Sequence, residues 1–388
     1  DKFNGHHFVK SSFKQENCIA IVSNEEDYES DRIIKVEDTT KAYGKLAAIY
    51  KKLFAIKSVA ITGSYGKTIT KEYLYNILSQ KHPTLKTFAN ENNLIGLPKT
   101  IFKLKTDDYF AIFELGSNHF GEIKDLSDIC QADINVITSV GPSHLEFFID
   151  EGGVFKEKTT IFRGKNETRI FPGDDMRFEK ISGITFGEKA DCDYRITEKF
   201  HDDSSSSFKL NNIPYKIESP FCENTINAAI AATIAQELKF SSYDIYQGLL
   251  MKLNTSNRVE IIKQNELTII SDCYNANPTS MKAAIKFWNG LETSKPHYAI
   301  LGDMLELGIL TEKLHKDIWN ILKETNCEKI ISVGEYSIDF NADEHFSTIE
   351  SLIESGIHQN FPKDSVILLK ASRGIKLEKI IDELIKRG

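Results

Sequence analysis

Two glycines, a lysine and a threonine stand close together in Thr62-Gly63-Ser64-Tyr65-Gly66-Lys67-Thr68. Glycines let backbone N–H groups approach phosphate oxygens, Lys67 would neutralise the β and γ phosphates of a nucleoside triphosphate, and the Thr68 hydroxyl suits Mg2+. The spacing is GxxGKT, shorter than the general GxxxxGK phosphate loop followed by Ser or Thr, so a plain strand-to-helix turn with a surface lysine is the competing reading. Farther on, Glu114 follows an apolar run, and His144 sits in Gly141-Pro142-Ser143-His144-Leu145-Glu146. A carboxylate and an imidazole beside a triphosphate are reasonable Mg2+ ligands. Each alone also has a bland reading, since strand-end glutamates are often solvated and a lone histidine is often structural. Asn90, Asn92 and Asn93 offer amides that can hold phosphate or carbonyl oxygens, although asparagine also favours turns. Two more loops could carry ligands, Asp272-Cys273-Tyr274-Asn275-Ala276-Asn277-Pro278 and Gly302-Asp303-Met304-Leu305-Glu306-Leu307-Gly308.

These groups are far apart in sequence, so the fold has to converge them. Residues 57–138 alternate short buried runs, at 58–62, 109–113 and 134–138, with amphipathic stretches in which Ile69, Tyr73, Leu74, Ile77 and Leu78 share one helical face. The alternation predicts a parallel sheet covered on both faces. The carboxyl ends of its strands share one crevice, where Lys67, Glu114 and His144 would meet. Residues 163–220, with Pro172-Gly173, serines at 204–207 and Asn211-Asn212, predict a β-rich insertion that carries little chemistry. A helix is expected over 224–238 and a linker near 254–257. A second α/β unit follows, with strands at 267–271, 298–301, 329–333 and 366–369 and a closing helix bearing Leu377, Ile380, Ile381, Leu384 and Ile385. The opening fifty residues hold one clear strand, 18–22, and a helix near 42–51, too little for a whole domain.

With 388 residues, 41% hydrophobic and 27% charged, the chain supports two or three packed domains and is too apolar to be mostly disordered. A net charge of -8 supplies no basic field for nucleic acid or an anionic membrane, so a phosphate-bearing ligand needs a local site. No apolar run approaches the roughly 20 residues of a spanning helix. Six cysteines without paired spacing read as reduced thiols, which predicts a cytoplasmic protein.

Taken in order, the motifs resemble the Mur ligase family from end to end, apart from an N-terminal deficit. The resemblance rests on the run from Gly63 to Glu72, on Asn92-Asn93-Leu94-Ile95-Gly96-Leu97-Pro98, on Tyr274-Asn275-Ala276-Asn277-Pro278 and on the run from Leu301 to Gly308. Within the family the chain looks most like the member that adds D-alanyl-D-alanine to a UDP-linked muramoyl tripeptide. In sister enzymes that add the first and third amino acids, the segment matching residues 274–278 usually carries histidine.

The resemblance implies a three-domain α/β fold. Residues 1–52 would be the remainder of an N-terminal UDP-substrate-binding domain, 53–256 a central P-loop ATPase-like parallel sheet with the β-rich insertion, and 257–388 a C-terminal Rossmann-like ligase domain. It implies ATP and two-Mg2+ chemistry with Lys67, Glu114, His144 and Lys158 as the catalytic set, acting on UDP-N-acetylmuramoyl-tripeptide and D-alanyl-D-alanine in a monomer without nucleic acid or membrane insertion. Nucleotide contacts carry over to Gly63, Ser64, Tyr65, Gly66, Lys67, Thr68, Thr70, Asn224, Asn227, Arg258, Asp272, Tyr274 and Asn275, and substrate contacts to Asn90, Asn92, Asn93, Asp303 and Glu306. Thr68 and Glu114 would hold one metal; His144 and a carbamylated Lys158 would hold a second, with Lys156 close enough to leave the register open.

Three positions depart from the family pattern: Glu223 replaces a histidine before Asn224, Thr160 an acidic residue after Lys158, and Ser271 an aspartate before Asp272. The opening residues from Asp1 resemble the middle of the uridine-binding domain, so its first few dozen residues are expected to be absent. Competing expectations are another Mur-type or folylpolyglutamate synthase-like ligase, and a nucleotide-binding regulatory protein without ligase activity.

Overall fold

The computed structural model describes residues 4–23, 31–164, 166–202, 204–253, 260–292 and 294–386. Its centre is a nine-stranded sheet in the order Ile213–Ile217, Ser206–Leu210, Tyr194–His201, Ile184–Gly187, Thr168–Pro172, Ile134–Ile137, Lys57–Thr62, Phe110–Glu114, Thr84–Lys86. From Tyr194–His201 onward neighbouring strands run parallel; the first three are antiparallel. The inner strands are nearly continuous apolar runs because helices cover both faces, and every residue of Phe110–Glu114 is buried. The expected β-rich insertion is therefore no separate module: its strands extend the same sheet.

Two helices pack together behind the crevice. Lys67–Ser79 turns Tyr73, Leu74, Ile77 and Leu78 into the core, against the buried alanines of Glu223–Glu237. Small alanine side chains let the two backbones approach, and each fully buried leucine or isoleucine contributes about 1.5–3 kcal/mol. Glu223–Glu237 begins one residue before the expected start, and its flat hydrophobic pattern reflects burial on most sides.

The C-terminal sheet has six strands, ordered Glu260–Gln264, Leu267–Asp272, Val366–Lys370, His297–Gly302, Cys327–Val333, Glu344–Phe346. The first pair is antiparallel and the rest are parallel. The closing helix is broken: Leu377–Ile380 is a 3-10 turn entered from Lys376 at φ 58, and only Ile381–Ile385 is α-helical. Its apolar side chains Leu377, Ile380 and Leu384 are still buried.

At the amino end, Ala20–Val22 pairs in parallel with Ile33–Lys35, and the Asp38 carboxylate caps helix Thr39–Lys51 by accepting from the Thr40 and Lys41 N–H groups. Among the described residues no helix is long and apolar enough to cross a membrane. The expected linker at 254–257 and Arg258 lie outside the described residues.

Candidate active site

The strand ends of the two large sheets open onto one cleft of about 1620 Å³. That is more than the ~300–1,000 Å³ typical of one small ligand, so the cleft has room for more than one reactant. Its floor is the loop at 63–66, which joins strand Lys57–Thr62 to helix Lys67–Ser79. Gly63 and Gly66 take φ values of 151 and 83, and Gly66 caps the helix. A Cβ on Gly66 would lie 2.2 Å from Asn227 Oδ1, and one on Gly63 would lie 2.1 Å from Thr138 Oγ1. Glycine is thus required at both places. The neighbouring loop clamps this one: Ser64 N donates to Ser139 O at 3.0 Å, Tyr65 N to Ser139 Oγ at 3.0 Å, and Thr138 Oγ1 to Tyr65 O at 2.6 Å. Lys67 Nζ donates to Gly63 O at 2.5 Å, within the loop it would share with a phosphate. A helix N-terminus with a lysine beside it suits an anion, by its dipole and its charge.

Behind the loop, Thr68 Oγ1 donates to Glu114 Oε2 at 2.8 Å, and Asn92 Nδ2 donates to Glu114 Oε1 at 3.1 Å. Among the described residues no group of three or more His, Cys, Asp or Glu side chains forms a metal cage. Thr68 and Glu114 nevertheless fit Mg2+, which keeps several waters and binds through one or two carboxylates plus substrate phosphates.

Lys158 lies on helix Glu151–Thr159, fully buried, and donates to Ser117 Oγ at 3.0 Å. Burial first, and Lys67 second, push its ammonium down to about 7. Lys156 is exposed, whereas Lys158 is buried and lines the cleft. Thr160 turns its hydroxyl to Glu157 O. The acidic groups facing Lys158 are Glu157 and Glu122 instead, and Glu157 accepts from the Gly121 and Ile123 N–H groups.

His144 also lines the cleft, in the left-handed conformation at φ 52. Its Nδ1 lies 2.5 Å from Glu306 Oε2, a contact between the two halves that is an ion pair when the imidazole is protonated. His144 holds the Glu306 carboxyl below its ordinary range.

The other sequence-chosen residues divide. Asn90, Asn92, Asn93, Asn224, Asn227, Asp272, Tyr274 and Asn275 line the cleft with Ser64, Tyr65, Gly66 and Lys67. Asn93 Oδ1 also accepts from the Ile95 and Gly96 N–H groups, and Asn224 Nδ2 donates to Ser219 Oγ at 2.9 Å. Glu223, one of the departures, lines the same wall. Thr70 is fully buried, and its Oγ1 has no hydrogen-bond partner among the described residues. Asp303 is not brought to the cleft. It is buried, and its carboxylate accepts from the Glu335, Tyr336 and Ser337 N–H groups at 2.8, 3.1 and 2.7 Å, which makes it a brace for the loop after strand Cys327–Val333.

Sequence reasoning missed four contributors. Ser117 holds Lys158, and Ser139 clamps the phosphate loop. Lys370, at the end of strand Val366–Lys370, is fully buried, pairs with Asp272 and donates to Asn275 O at 3.1 Å. Its strand-end position was the available signal. The β-rich stretch set aside as chemically silent supplies a wall of the cleft through Asp174, Asp175 and Phe186.

Residues 61–235 match the family model of the Mur ligase middle domain, and residues 257–373 match that of the Mur ligase glutamate ligase domain. The chain belongs to the Mur ligase family. It is 32% identical over 408 residues to the UDP-N-acetylmuramoyl-tripeptide--D-alanyl-D-alanine ligase of Bacillus subtilis, covering 100% of this chain and 89% of that one. The ligase of the same name from Buchnera aphidicola (subsp. Acyrthosiphon pisum) is 34% identical over 411 residues, with the same coverage. Among solved structures, a crystal structure of MurF from Acinetobacter baumannii superposes with a TM-score of 0.91 at 31% identity, covering 100% of this chain and 89% of that one. MurF from Thermotoga maritima in complex with ADP shares the fold, with a TM-score of 0.89 at 23% identity, covering 100% of this chain and 92% of that one.

Proposed function

We propose that this Mur ligase joins D-alanyl-D-alanine to the carboxyl end of UDP-N-acetylmuramoyl-tripeptide, coupled to cleavage of ATP to ADP and phosphate. The observation that carries the reading is the end-to-end similarity to ligases of that name, at 32 and 34% identity. Residues 1–52, 53–256 and 257–388 are assigned to the uridine-substrate, ATP-binding and ligase domains; the three separate sheets support that division.

The tripeptide carboxylate attacks the γ-phosphorus of ATP and ADP leaves, giving an acyl phosphate. The dipeptide amine, having lost its extra proton, attacks the acyl carbon and phosphate departs. Both steps bring anions together, so positioning and charge neutralisation do most of the work. Lys67 and the first N–H groups of helix Lys67–Ser79 hold the phosphates, while Asn224 and Asn227 flank the nucleotide from the helix Glu223–Glu237. Arg258 is assigned to the nucleotide by the family resemblance alone; Asp272, Tyr274 and Asn275 reach it from the C-terminal side, and Asn90, Asn92 and Asn93, with Glu306 beside His144, are assigned to the substrates. Thr68 and Glu114 would hold Mg2+, with His144 toward a second ion, and the metal when bound would supply further positive charge against the phosphates.

Lys158 is assigned as a carbamate. A buried amine pushed to about 7 is substantially neutral near pH 7, and only the neutral amine adds CO2. Lys158→Ala is expected to be inactive and partly rescued by short-chain carboxylic acids; no rescue would remove the carbamate from the reading. ATP use and the absence of disulfides among the described cysteines support a cytoplasmic protein.

The experiment is phosphate release with ATP, Mg2+, the UDP-tripeptide and D-alanyl-D-alanine, omitting each in turn. Release that needs all four, with a pentapeptide product by mass, is expected. Release only with a different amino acid would overturn the substrate, and ATP binding without release would favour a regulatory nucleotide-binding protein.

A further inference from the structure

Behind the phosphate loop a file of four charged side chains runs inward from the surface, and the chemistry above uses only the last. Lys86 pairs with Glu72, and its ammonium sits 3.9 Å from the centroid of the Tyr75 ring. Glu72 Oε1 lies 3.5 Å from Lys71 Nζ, and Lys71 Nζ lies 3.2 Å from Glu114 Oε2. Lys71, Glu72 and Glu114 are 1, 5 and 1% exposed. Charges buried this deeply persist only when paired and hydrogen-bonded. Lys71 stands one turn beyond Thr68 on the helix Lys67–Ser79, and both address Glu114 Oε2. With Asn92 on Oε1, both carboxylate oxygens are fixed.

We propose that Lys71 is a positioning residue that fixes the Glu114 carboxylate beside the Thr68 hydroxyl, so that the Mg2+–nucleotide site is preformed, with Glu72 and Lys86 holding Lys71 in place. The proposal rests on the assignment of Glu114 as a metal ligand. The file contains two ammonium groups and two carboxylates and is neutral in sum, so a dication placed against it finds no net negative charge. The compensating charge has to come from the nucleotide phosphates. Mg2+ alone is therefore expected to bind weakly, and Mg2+ and nucleotide to strengthen each other.

The test is calorimetric titration of the full chain with a non-hydrolysable ATP analogue, in excess Mg2+ and in EDTA, with folding checked by circular dichroism. In wild type Mg2+ strengthens binding. Lys71→Met is expected to cut that strengthening by about tenfold or more, the scale on which outer partners of metal ligands act, while affinity in EDTA stays within about twofold. Glu114→Gln should lose the same strengthening, and Lys71→Met added to Glu114→Gln should cost nothing further, because the two act as one unit. A purely structural lysine would lower the EDTA affinity and the melting temperature together and would add to Glu114→Gln; that result overturns the proposal. Full Mg2+ strengthening in Lys71→Met, with its loss in Glu114→Gln, overturns the role of Lys71 alone. Retention in Glu114→Gln overturns the metal assignment and the proposal with it. If Lys71→Met does not fold, the double variant Glu72→Gln, Lys86→Met carries the test: weakened Mg2+ strengthening at unchanged EDTA affinity supports the proposal, and unchanged strengthening overturns it.

Discussion

Lys158→Met removes a charge from the interior while keeping a side chain of similar length. Burial and the neighbouring Lys67 lower the Lys158 ammonium from 10.5 to about 7. The difference, 10.5 − 7, is about 3.5, and each unit of pKa is worth about 1.36 kcal/mol, so holding the charged form in the fold costs about 5 kcal/mol. Lys158 is fully buried, so solvent does not screen that cost. The unfolded chain binds the proton more tightly than the folded chain, so wild-type stability rises with pH across this interval. The penalty is complete below about pH 7, where both states are charged. It declines from there to 10.5 and is gone above, where both are neutral. Relative to wild type, Lys158→Met should be favoured by up to about 5 kcal/mol at pH 6 and by about 2 kcal/mol at pH 9, a fall of roughly 3 kcal/mol. Repacking of the methionine adds a constant, so the slope decides. Urea unfolding of both proteins at the two pH values in CO2-free buffer measures it. An advantage that stays flat with pH would refute the account of Lys158 as a buried amine titrating near neutrality. Bicarbonate, which can convert only the wild-type amine, should shift the stability of wild type and leave the variant unmoved.

Lys67→Ala should lower turnover at least about a hundredfold by removing the phosphate counter-charge, and residual activity above that level counts against the phosphate loop. Gly66→Ala forces a side chain into φ 83 and against Asn227 Oδ1 at 2.2 Å; nucleotide affinity should fall about tenfold or more, with a stability cost of about 1–3 kcal/mol, both read by thermal shift with and without ADP. Lys370→Met strands Asp272 without its ammonium and should cost about 3–5 kcal/mol in urea unfolding, while Lys370→Met, Asp272→Asn should recover most of it.

The core of the fold was legible because parallel strands covered by helices are written as apolar runs, and 58–62, 109–113 and 134–138 each fall on observed strands. Other features were invisible for definite reasons. Thr84–Lys86 is a three-residue edge strand with no alternation to read. Strands Tyr194–His201 to Ile213–Ile217 carry the alternation of an antiparallel sheet, and nothing local says that they continue a parallel one. The convergence of Lys67, Glu114 and His144 on one cleft followed from the strand-end rule. The pairing of Lys71 with Glu114 also had a signal, since Lys71 falls at i+3 from Thr68 on one helical face, but a lysine on a helix is usually solvated and was passed over. Asp303 misled for the opposite reason: a carboxylate after a strand reads as a ligand, and here three backbone N–H groups consume it.

The seam between the central and C-terminal halves is made of conformations that no local preference would select. His144 at φ 52 and Glu306 at φ 65 are both non-glycine residues in the left-handed region, and they meet each other through Nδ1 and Oε2. Glu146 N donates to Glu306 O at 3.1 Å, and a Cβ on Gly308 would lie 2.9 Å from Glu146 Cα. Holding side chains in such backbone regions costs of order 1–3 kcal/mol each, so the surroundings must compensate for it. What the strain achieves is adjacency: the loop at 141–148, which clamps the phosphate loop through Gly141 and Ser143, is tied to the loop at 302–308 of the other half. A displacement of the C-terminal half cannot leave His144 as it is, because its anionic partner moves with that half. The position of the His144 imidazole is therefore coupled to that of the 302–308 loop, so a shift of the C-terminal half would be felt at the loop that clamps residues 63–66.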